Sequence, residues 1–355
     1  MTSSTSSPLW ALAERLDCDW PHLRAAEANS HAERERLAAL LHSAVPEDTS
    51  FVAFGSLARG EFTSGSDLDW TLLLDGRTDK EHHRAVRELC TRLQGAGAKA
   101  PGPSGVFGSI ASSHPILHQI GGQDDTNRNT TQRILLLLES TAIGRPEAHE
   151  RVLRLVIDRY VEDDRGLLYG RGQSLIPRVL LNDIARYWRT VTIDFVDKQK
   201  QRDDGWALRN VKLRLSRKLI YINGLLTCFS LELHPEKASL RRGDGQPDPE
   251  RLVEFLLRRV RWRPLDSLAE ACMRPDVQPD TARALFDTYD AFLGVLDDVE
   301  QREHLRKLGM DELGSSEVFR TVSRLARRFQ DDGVHRLFFE QDPTLRELIT
   351  RYGVF

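Results

Sequence analysis

Apolar and polar positions follow two different periods along the first part of the chain. Short apolar runs over 51–54 and 68–74 predict strands, and 115–120 is a third candidate strand. Helical periodicity precedes and separates these runs, and it is clearest in the amphipathic segment 78–94. Strands that alternate with helices in this way are typical of a domain in which helices cover a sheet.

Beyond about residue 130 the periodicity is helical, and no further strand is expected. Helices are predicted over 133–140, 149–161, 177–200, 206–226 and 249–260, with several more up to residue 350. We therefore predict an α+β domain with a mixed sheet over residues 1–145, followed by an all-α domain over residues 146–355.

Composition adds the expected location. The chain has 355 residues, of which 40% are hydrophobic and 29% charged, and no segment reaches the ~18 uninterrupted apolar residues of a membrane helix. The first apolar stretch is interrupted by Glu14 and Arg15, which is unlike a signal peptide. The four scattered cysteines include no CxxC pair, so we expect a cytoplasmic protein without disulfides, zinc or a membrane partner.

Two aspartates one residue apart, Asp67 and Asp69, stand at the second predicted strand. Side chains alternate along a strand, so both carboxylates should point to one face while Leu68 points to the other. Adjacent carboxylates repel, and burying one ion without a partner costs several kcal/mol. A divalent cation with a preference for oxygen, such as Mg²⁺, would neutralise them. The alternative is a strand end at which both aspartates are solvated.

A Gly-Ser turn, Gly55 and Ser56, lies between the first strand and a short helical stretch. Backbone N–H groups at a helix start favour an anion, glycine allows close approach to the backbone, and the serine hydroxyl adds a donor. The turn therefore predicts a phosphate site next to a predicted metal site.

These residues resemble the signature of the polymerase-beta-type nucleotidyltransferase superfamily. Gly55-Ser56, ten residues and then Asp67-Leu68-Asp69 match it in spacing, and the filling Ala58-Arg59-Gly60-Glu61 is similar to that of minimal nucleotidyltransferases and bacterial protein uridylyltransferases. The resemblance covers about residues 50–76. It implies a mixed-sheet palm that transfers a nucleoside monophosphate from a nucleoside triphosphate to an acceptor.

The resemblance implies a role for each matching residue. Gly55 and Ser56 would hold the triphosphate, Asp67 and Asp69 would bind Mg²⁺ or Mn²⁺, and Arg59 with Glu61 would brace the loop as an ion pair. Such enzymes usually add a third carboxylate from a later strand, but the candidate strand 115–120 contains no acid. Asp125, favoured over Asp124, is the third candidate. The alternative is that this Asp/Asn/Thr cluster caps the helix that begins near Thr130.

Two consecutive helices of the C-terminal part carry basic faces. Arg214 and Lys218 are the first candidates for contacts with a triphosphate, whose negative charge two metals would only partly cancel. For any single arginine, an ordinary solvated helix face is the better explanation, whereas for the cluster as a whole the two explanations are equal.

Two functions compete on this evidence. The first is a Mg²⁺-dependent nucleotidyltransferase that uses a nucleoside triphosphate, with ATP favoured, and an acceptor hydroxyl on a protein, an RNA or a small molecule. A protein acceptor is slightly favoured because an RNA acceptor would want a more basic surface than a net charge of −3 gives. The second is a catalytically silent nucleotide-binding sensor or antitoxin-like regulator, which the missing acid in the third strand motivates.

Overall fold

The computed structural model describes residues 7–99, 107–170, 174–201, 205–235 and 237–353. A four-stranded mixed sheet near the N-terminus packs against helices from both parts of the chain. The strands are β1 (Thr49–Phe54), β2 (Trp70–Leu74), β3 (Ser109–Ser112) and β4 (Ser140–Ile143), in the spatial order β3-β2-β1-β4. Strand β1 pairs antiparallel with both β2 and β4, and β2 pairs parallel with β3.

Six helices accompany the sheet, and most of the chain beyond it is helical. The first six are α1 (Pro8–Leu16), α2 (Pro21–Leu41), α3 (Gly55–Arg59), α4 (Lys80–Gly95), α5 (Ser113–His118) and α6 (Asn127–Leu138). After β4 follow α7 (Glu147–Glu162), α8 (Arg165–Tyr169), α9 (Arg178–Gln201), α10 (Trp206–Lys212), α11 (Lys218–Leu233), α12 (Pro249–Val260), α13 (Pro264–Cys272), α14 (Pro279–Asp297), α15 (Val299–Lys307), α16 (Glu317–Arg328) and α17 (Pro343–Leu348). Leu213–Arg217, Phe329–Gln341 and Ile349–Gly353 are π-helical, and His42–Ala44 and Lys237–Leu240 are 3₁₀ turns.

The structure confirms the α+β fold with a mixed sheet and a helical C-terminal part, but it changes the later strands. The candidate strand 115–120 is wrong, because its residues belong to helix α5. Ser112 caps that helix by accepting from the His114 amide, and Pro115 fits a first turn, where no intrahelical N–H is needed. The third strand is the preceding segment, β3.

The expectation of no strand beyond residue 130 is also wrong. Strand β4 has only four residues, Ser140–Ile143, and its pairing with Phe51–Phe54 of β1 makes it part of the sheet. Only Glu139 separates it from the apolar run of α6, and four residues are too few for a period of two to stand out. The predicted division at residue 145 falls in the link between β4 and α7.

The sheet separates two hydrophobic cores. One face, with Phe51, Trp70 and Leu72, packs with α2 and α4 in a small core. The other face, with Val52 and Leu73, joins a larger core that runs through the C-terminal helices and also includes α1. Side chains that leave the strand ends on this second face therefore meet the helical part of the chain. None of the helices in the described part is long and apolar enough to cross a membrane.

A buried ion cluster ties helix α6 to the helical part. The Arg133 guanidinium is fully buried and donates to Asp125 Oδ2 at 2.9 Å, Asp183 Oδ2 at 2.5 Å and the Tyr160 hydroxyl at 2.7 Å. Arg186 of α9 also donates to Asp125 Oδ2, at 3.2 Å. One guanidinium thus compensates two carboxylates that are almost completely buried.

We expect Arg133→Met to destabilise the fold by about 3–5 kcal/mol, because it leaves Asp125 and Asp183 buried without this partner. Arg154→Met is the matched control. Arg154 makes an exposed ion pair with Glu254, so its loss should cost less than about 1 kcal/mol. Urea-induced unfolding of both variants measures the difference. Equal effects of the two substitutions would contradict the structural role of Arg133.

His149, in the first turn of α7, joins that helix to the sheet. Its Nε2 lies 2.7 Å from the Ser140 hydroxyl of β4, and its amide donates to the Ser50 hydroxyl of β1 at 3.1 Å. Burial, together with the positive charge of Arg261, lowers the pKa of His149 to about 4. The folded chain therefore keeps this imidazole neutral in mildly acidic solution.

Because an unfolded histidine binds a proton below about pH 6.5, the unfolded state binds more protons than the folded state between about pH 6.5 and 4. Stability should fall as the pH drops through this window, with a contribution from His149 on the order of 3 kcal/mol. His149→Gln removes the titrating group and keeps a hydrogen-bonding side chain. The free energy of unfolding, measured in urea at several pH values, should fall less steeply for the variant, and parallel curves would refute the assignment.

Candidate active site

The Gly-Ser turn begins directly at the end of β1. Phe54 is extended, Gly55 has a φ of +68°, and helix α3 starts there. A positive φ is unfavourable for residues with a Cβ, which explains the glycine. Since α3 has only five residues, an anion at Ser56 would be held by the N–H groups of the first turn rather than by a long helix dipole.

The acid pair, Asp67 and Asp69, lies in extended chain immediately before β2 rather than inside it. The Phe54 amide still donates to the Asp69 carbonyl at 2.9 Å, so the pairing with β1 continues for one residue beyond the strand. Leu68 and Trp70 are buried in the small core, whereas Asp67 is exposed and Asp69 half-buried. The alternation predicted for this segment is therefore present.

The fold brings the Gly-Ser turn and the acid pair together. A Cβ placed on Gly55 would lie 3.5 Å from Asp69 Oδ2. The two halves of the motif, separated by ten residues in sequence, are thus in near contact at one end of the β1–β2 pair. A phosphate bound at the turn would lie within reach of a cation held by the carboxylates.

Below the turn is a buried ion network. The Arg59 guanidinium donates to Glu61 Oε2 at 2.8 Å and to the Glu139 carboxylate, which confirms the predicted Arg59–Glu61 ion pair. The Tyr289 hydroxyl of α14 donates to Glu61 Oε1 at 3.0 Å. Burial alone would lower the pKa of Arg59, but the charges of Glu61 and Glu139 raise it above its ordinary value. The turn is therefore fixed to Glu139 at the C-terminal end of α6, and to the C-terminal helices, at once.

Helix α2 supports the turn from another side. The Arg34 guanidinium donates to the carbonyl oxygens of Leu57 at 2.6 Å and Ala58 at 3.1 Å, near the C-terminal end of α3. Cations stabilise a helix C-terminus, where the last carbonyls have no intrahelical partner. The sequence analysis did not single out Arg34, because its partners are backbone atoms 23 and 24 residues away.

Three cations from the helical part are electrostatic neighbours of the acid pair. Burial, followed by the charge of Arg302, lowers the pKa of Lys212 to about 8, while the charge of Asp67 opposes the shift. Burial likewise lowers the pKa of Arg302, again against the charge of Asp67. Arg217 is an electrostatic neighbour of Asp69 and lies beside the Tyr187 hydroxyl. Lys212, Arg217 and Arg302 thus place positive charge where the acid pair places negative charge.

Arg214 and Lys218, the cations predicted to contact the triphosphate, point elsewhere. Arg214 donates to the Ser323 carbonyl at 3.4 Å, and Lys218 donates to Gln330 Oε1 at 2.6 Å. Both side chains therefore contact α16 and the π-helical segment that follows it. From this helical segment, the cations that lie near the acid pair are instead Lys212 and Arg217.

The physical reason is the π-helical turn Leu213–Arg217 between α10 and α11. At 100° per residue, positions five apart such as Lys212 and Arg217 lie roughly 140° apart around an α-helix. A π turn bonds residue i to i+5 and brings such positions over one another. A prediction that assumes a continuous α-helix therefore separates Lys212 from Arg217, although the π turn brings them to the same side. π turns of this kind are frequent at functional sites, which is a signal in the structure but not in the sequence.

Asp125, the candidate third carboxylate, is bound by Arg133 and Arg186 in the buried cluster described above. It does not join the acid pair, since the described residues contain no group of three or more Asp, Glu, His or Cys side chains that could hold a metal. The alternative explanation of its neighbourhood is confirmed in kind. Thr126 caps α6, which begins at Asn127, by accepting from the Asn129 amide.

The acid pair can still supply ligands for Mg²⁺. This ion commonly uses one or two protein carboxylates and completes its octahedron with water and substrate phosphates. The oxygen ligands of Asp67 and Asp69, beside a turn suited to phosphate, fit that chemistry.

A cleft of about 330 Å³ opens beside these residues, between α6, α9 and α10. Lys212 and Arg217 form part of its wall, so the cleft adjoins the acid pair. Its other lining residues are six apolar or aromatic and six polar or charged ones: Phe107, Leu135, Tyr187, Val191, Phe195, Leu213, Asn127, Arg128, Thr131, Thr190, Asp194 and Arg209. A largely apolar cleft with a few polar groups is the usual form of a small-molecule site.

We expect Gly55→Ala to lower the free energy of unfolding by about 1–2 kcal/mol, because alanine must then adopt a positive φ. Gly76→Ala is the control, since Gly76 lacks a positive φ and a Cβ there would meet nothing within 4 Å. Thermal or urea unfolding of the two variants tests this. An unchanged Gly55→Ala protein would show that the turn is not held in the left-handed conformation.

Comparison with known proteins bears on this region alone. Residues 24–101 match the family model described as "Putative nucleotidyltransferase DUF294", a span that includes α2, the Gly-Ser turn, the acid pair and α4. Neither the curated proteins nor the solved structures gave a match to the chain. The segment 24–101, which contains the Gly-Ser turn and the acid pair, is therefore similar to a family of putative nucleotidyltransferases.

Proposed function

We propose that the protein is a Mg²⁺-dependent nucleotidyltransferase that moves a nucleoside monophosphate from a nucleoside triphosphate, with ATP favoured, to an acceptor hydroxyl. The observation that supports this proposal most directly is the near contact of Asp69 with Gly55, which brings a turn suited to phosphate next to a pair of carboxylates. The family match over residues 24–101 supports a transferase in general. The donor base, the metal and the acceptor are part of the proposal.

The cleft gives the nucleotide a place with two kinds of surface. The aromatic and apolar side chains that line it suit a base and ribose, and Lys212 and Arg217, which also line it, suit phosphates. In this arrangement the triphosphate extends from the cleft towards Ser56 and the acid pair. Asp67 and Asp69 would hold Mg²⁺, which supplies charge neutralisation for the phosphates and polarises the phosphoryl oxygen when bound.

The reaction is a displacement at the α-phosphorus. The acceptor oxygen forms the new bond to phosphorus, its proton passes to a carboxylate oxygen or water at the acid pair, and the bond to the β-phosphate oxygen breaks. Pyrophosphate leaves with the additional negative charge. The cations beside the acid pair stabilise this charge as it develops, because they are already in position before the reaction.

The acceptor proposed first is a hydroxyl of a protein side chain. The filling of the motif between Gly55 and Asp67 is similar to that of bacterial protein uridylyltransferases and of minimal nucleotidyltransferases. An RNA end and a small molecule are the other acceptors. They are distinguished by the fraction of the reaction products that carries the transferred nucleotide.

A silent nucleotide-binding protein is the second candidate, and a specific observation favours it. No third carboxylate joins the acid pair within the described ranges. In addition, Lys212 and Arg302 already compensate part of the Asp67 charge without a metal. A protein of this kind would bind a nucleotide in the same cleft and transfer nothing.

The test is incubation with α-labelled ATP, CTP, GTP or UTP, Mg²⁺ or Mn²⁺, and a lysate that contains protein and RNA. We expect label from one nucleotide to enter one class of product, and Asp67→Asn/Asp69→Asn to reduce transfer on the order of 100-fold or more. Asp280→Asn, which makes the same chemical change once at an 89% exposed side chain of α14, is the surface control and should transfer normally.

The outcomes separate the two candidates. Label that persists in the double variant would show that the acid pair is not the site of transfer. Absence of label for every nucleotide, together with metal-dependent nucleotide binding, would refute the enzyme and support the silent binding protein.

A further inference from the structure

Arg302, in α15, is the cation near the acid pair that the cleft does not account for. It is absent from the lining of the cleft, yet its charge acts on both Asp67 and Lys212. It reaches this position across Gly65, in the loop that leads to the acid pair. A Cβ on Gly65 would lie 2.6 Å from Arg302 Cδ and 2.7 Å from its Nε, so the guanidinium fits only because residue 65 has no side chain.

Arg302 lies near the charges of Asp67 and Asp297 but forms a salt bridge with neither of them. Within the described residues its hydrogen bonds go to neutral oxygens, the Leu296 carbonyl at 3.3 Å and the Thr63 hydroxyl at 3.5 Å. Within the described residues it makes no ion pair to a carboxylate within 4 Å. A partly buried guanidinium with several unused N–H donors is a ready site for a phosphate, which it can bind through two parallel hydrogen bonds.

The loop that carries Gly65 is itself held against the same helices. The Ser64 amide donates to Asp297 Oδ1 at 3.2 Å, and the Ser64 hydroxyl lies 3.3 Å from the same atom. The position of Arg302 relative to Asp67 is therefore set by contacts on both sides of the loop. A cation fixed before the ligand arrives gives more binding energy than one that must be ordered by it.

We propose that Arg302 binds the terminal phosphates of the triphosphate and, after transfer, the pyrophosphate. The inference rests on the proposed function. Lys212 and Arg217 line the cleft and so lie near the phosphate closest to the nucleoside, whereas Arg302 stands outside the cleft, beside Asp67. Phosphates that run from the cleft past the acid pair end next to Arg302.

Four variants separate the charge of Arg302 from its position. Arg302→Gln removes the charge, and Arg302→Lys keeps the charge but loses the planar fork. Gly65→Ala keeps Arg302 and places a methyl group where the guanidinium stem lies, which a flexible side chain can escape by moving. Lys307→Gln removes one positive charge from the same helix at a side chain that is 69% exposed.

Binding of inorganic pyrophosphate and of adenosine monophosphate, each with Mg²⁺, is measured by titration calorimetry. For pyrophosphate we expect the dissociation constant to rise roughly tenfold to a hundredfold in Arg302→Gln, and in the same direction in Arg302→Lys and Gly65→Ala. Lys307→Gln should bind like the unmodified protein. Binding of the monophosphate should change less than threefold in all four variants, and circular dichroism should show an unchanged fold.

Three results would overturn the inference. These are unchanged pyrophosphate binding in Arg302→Gln, an equal loss of monophosphate and pyrophosphate binding, and failure of the unmodified protein to bind pyrophosphate. The proposed function fails separately. If no nucleotide is transferred but pyrophosphate binding still depends on Arg302, the site binds a triphosphate without using it.

Discussion

The buried guanidinium of Arg59 is the interaction on which the site depends. It pairs with Glu61 at the end of the Gly-Ser loop and with Glu139 at the end of α6, and Glu61 is in turn bound by Tyr289 of α14. A charge buried without partners would cost several kcal/mol, so these four groups must stay together for the folded chain to be stable. The same network therefore fixes the position of the turn relative to the sheet and to the C-terminal helices.

The consequence is a site assembled from two distant parts of the sequence. The acid pair comes from the approach to β2, while Lys212 and Arg217 come from the π-interrupted helix and Arg302 from α15. The two carboxylates repel each other, as do the three cations, whereas the carboxylates attract the cations. The acidic strand end and the basic helical face thus favour one another even before a ligand is bound, and a triphosphate with its metal brings further charge of both signs to the same place.

Charge balance also limits what the arrangement can do. The described residues offer two carboxylates at the turn, and the candidate third one, Asp125, serves the Arg133 cluster that fixes α6 to α7 and α9. The Arg133 cluster has a structural role. It stabilises α6, which forms part of the wall of the cleft in which a nucleoside would lie. The arginines of the structural ion pairs therefore differ from Lys212, Arg217 and Arg302, the cations proposed to bind phosphates, which make no salt bridge within the described part of the chain.

The sequence by itself determined the sheet-plus-helices fold, the turn at Gly55, the alternation of Asp67 and Asp69, and the Arg59–Glu61 pair. Each of these depends on local geometry: a period of two, a positive φ, or partners two residues apart. Short elements such as α5 and β4 could not be predicted from the sequence, since segments of four to six residues fit either period. Which cations lie near the acid pair depends on the tertiary structure. A π turn rotates the helical face between Lys212 and Arg217, and Arg302 approaches from more than two hundred residues away over a glycine that leaves it room.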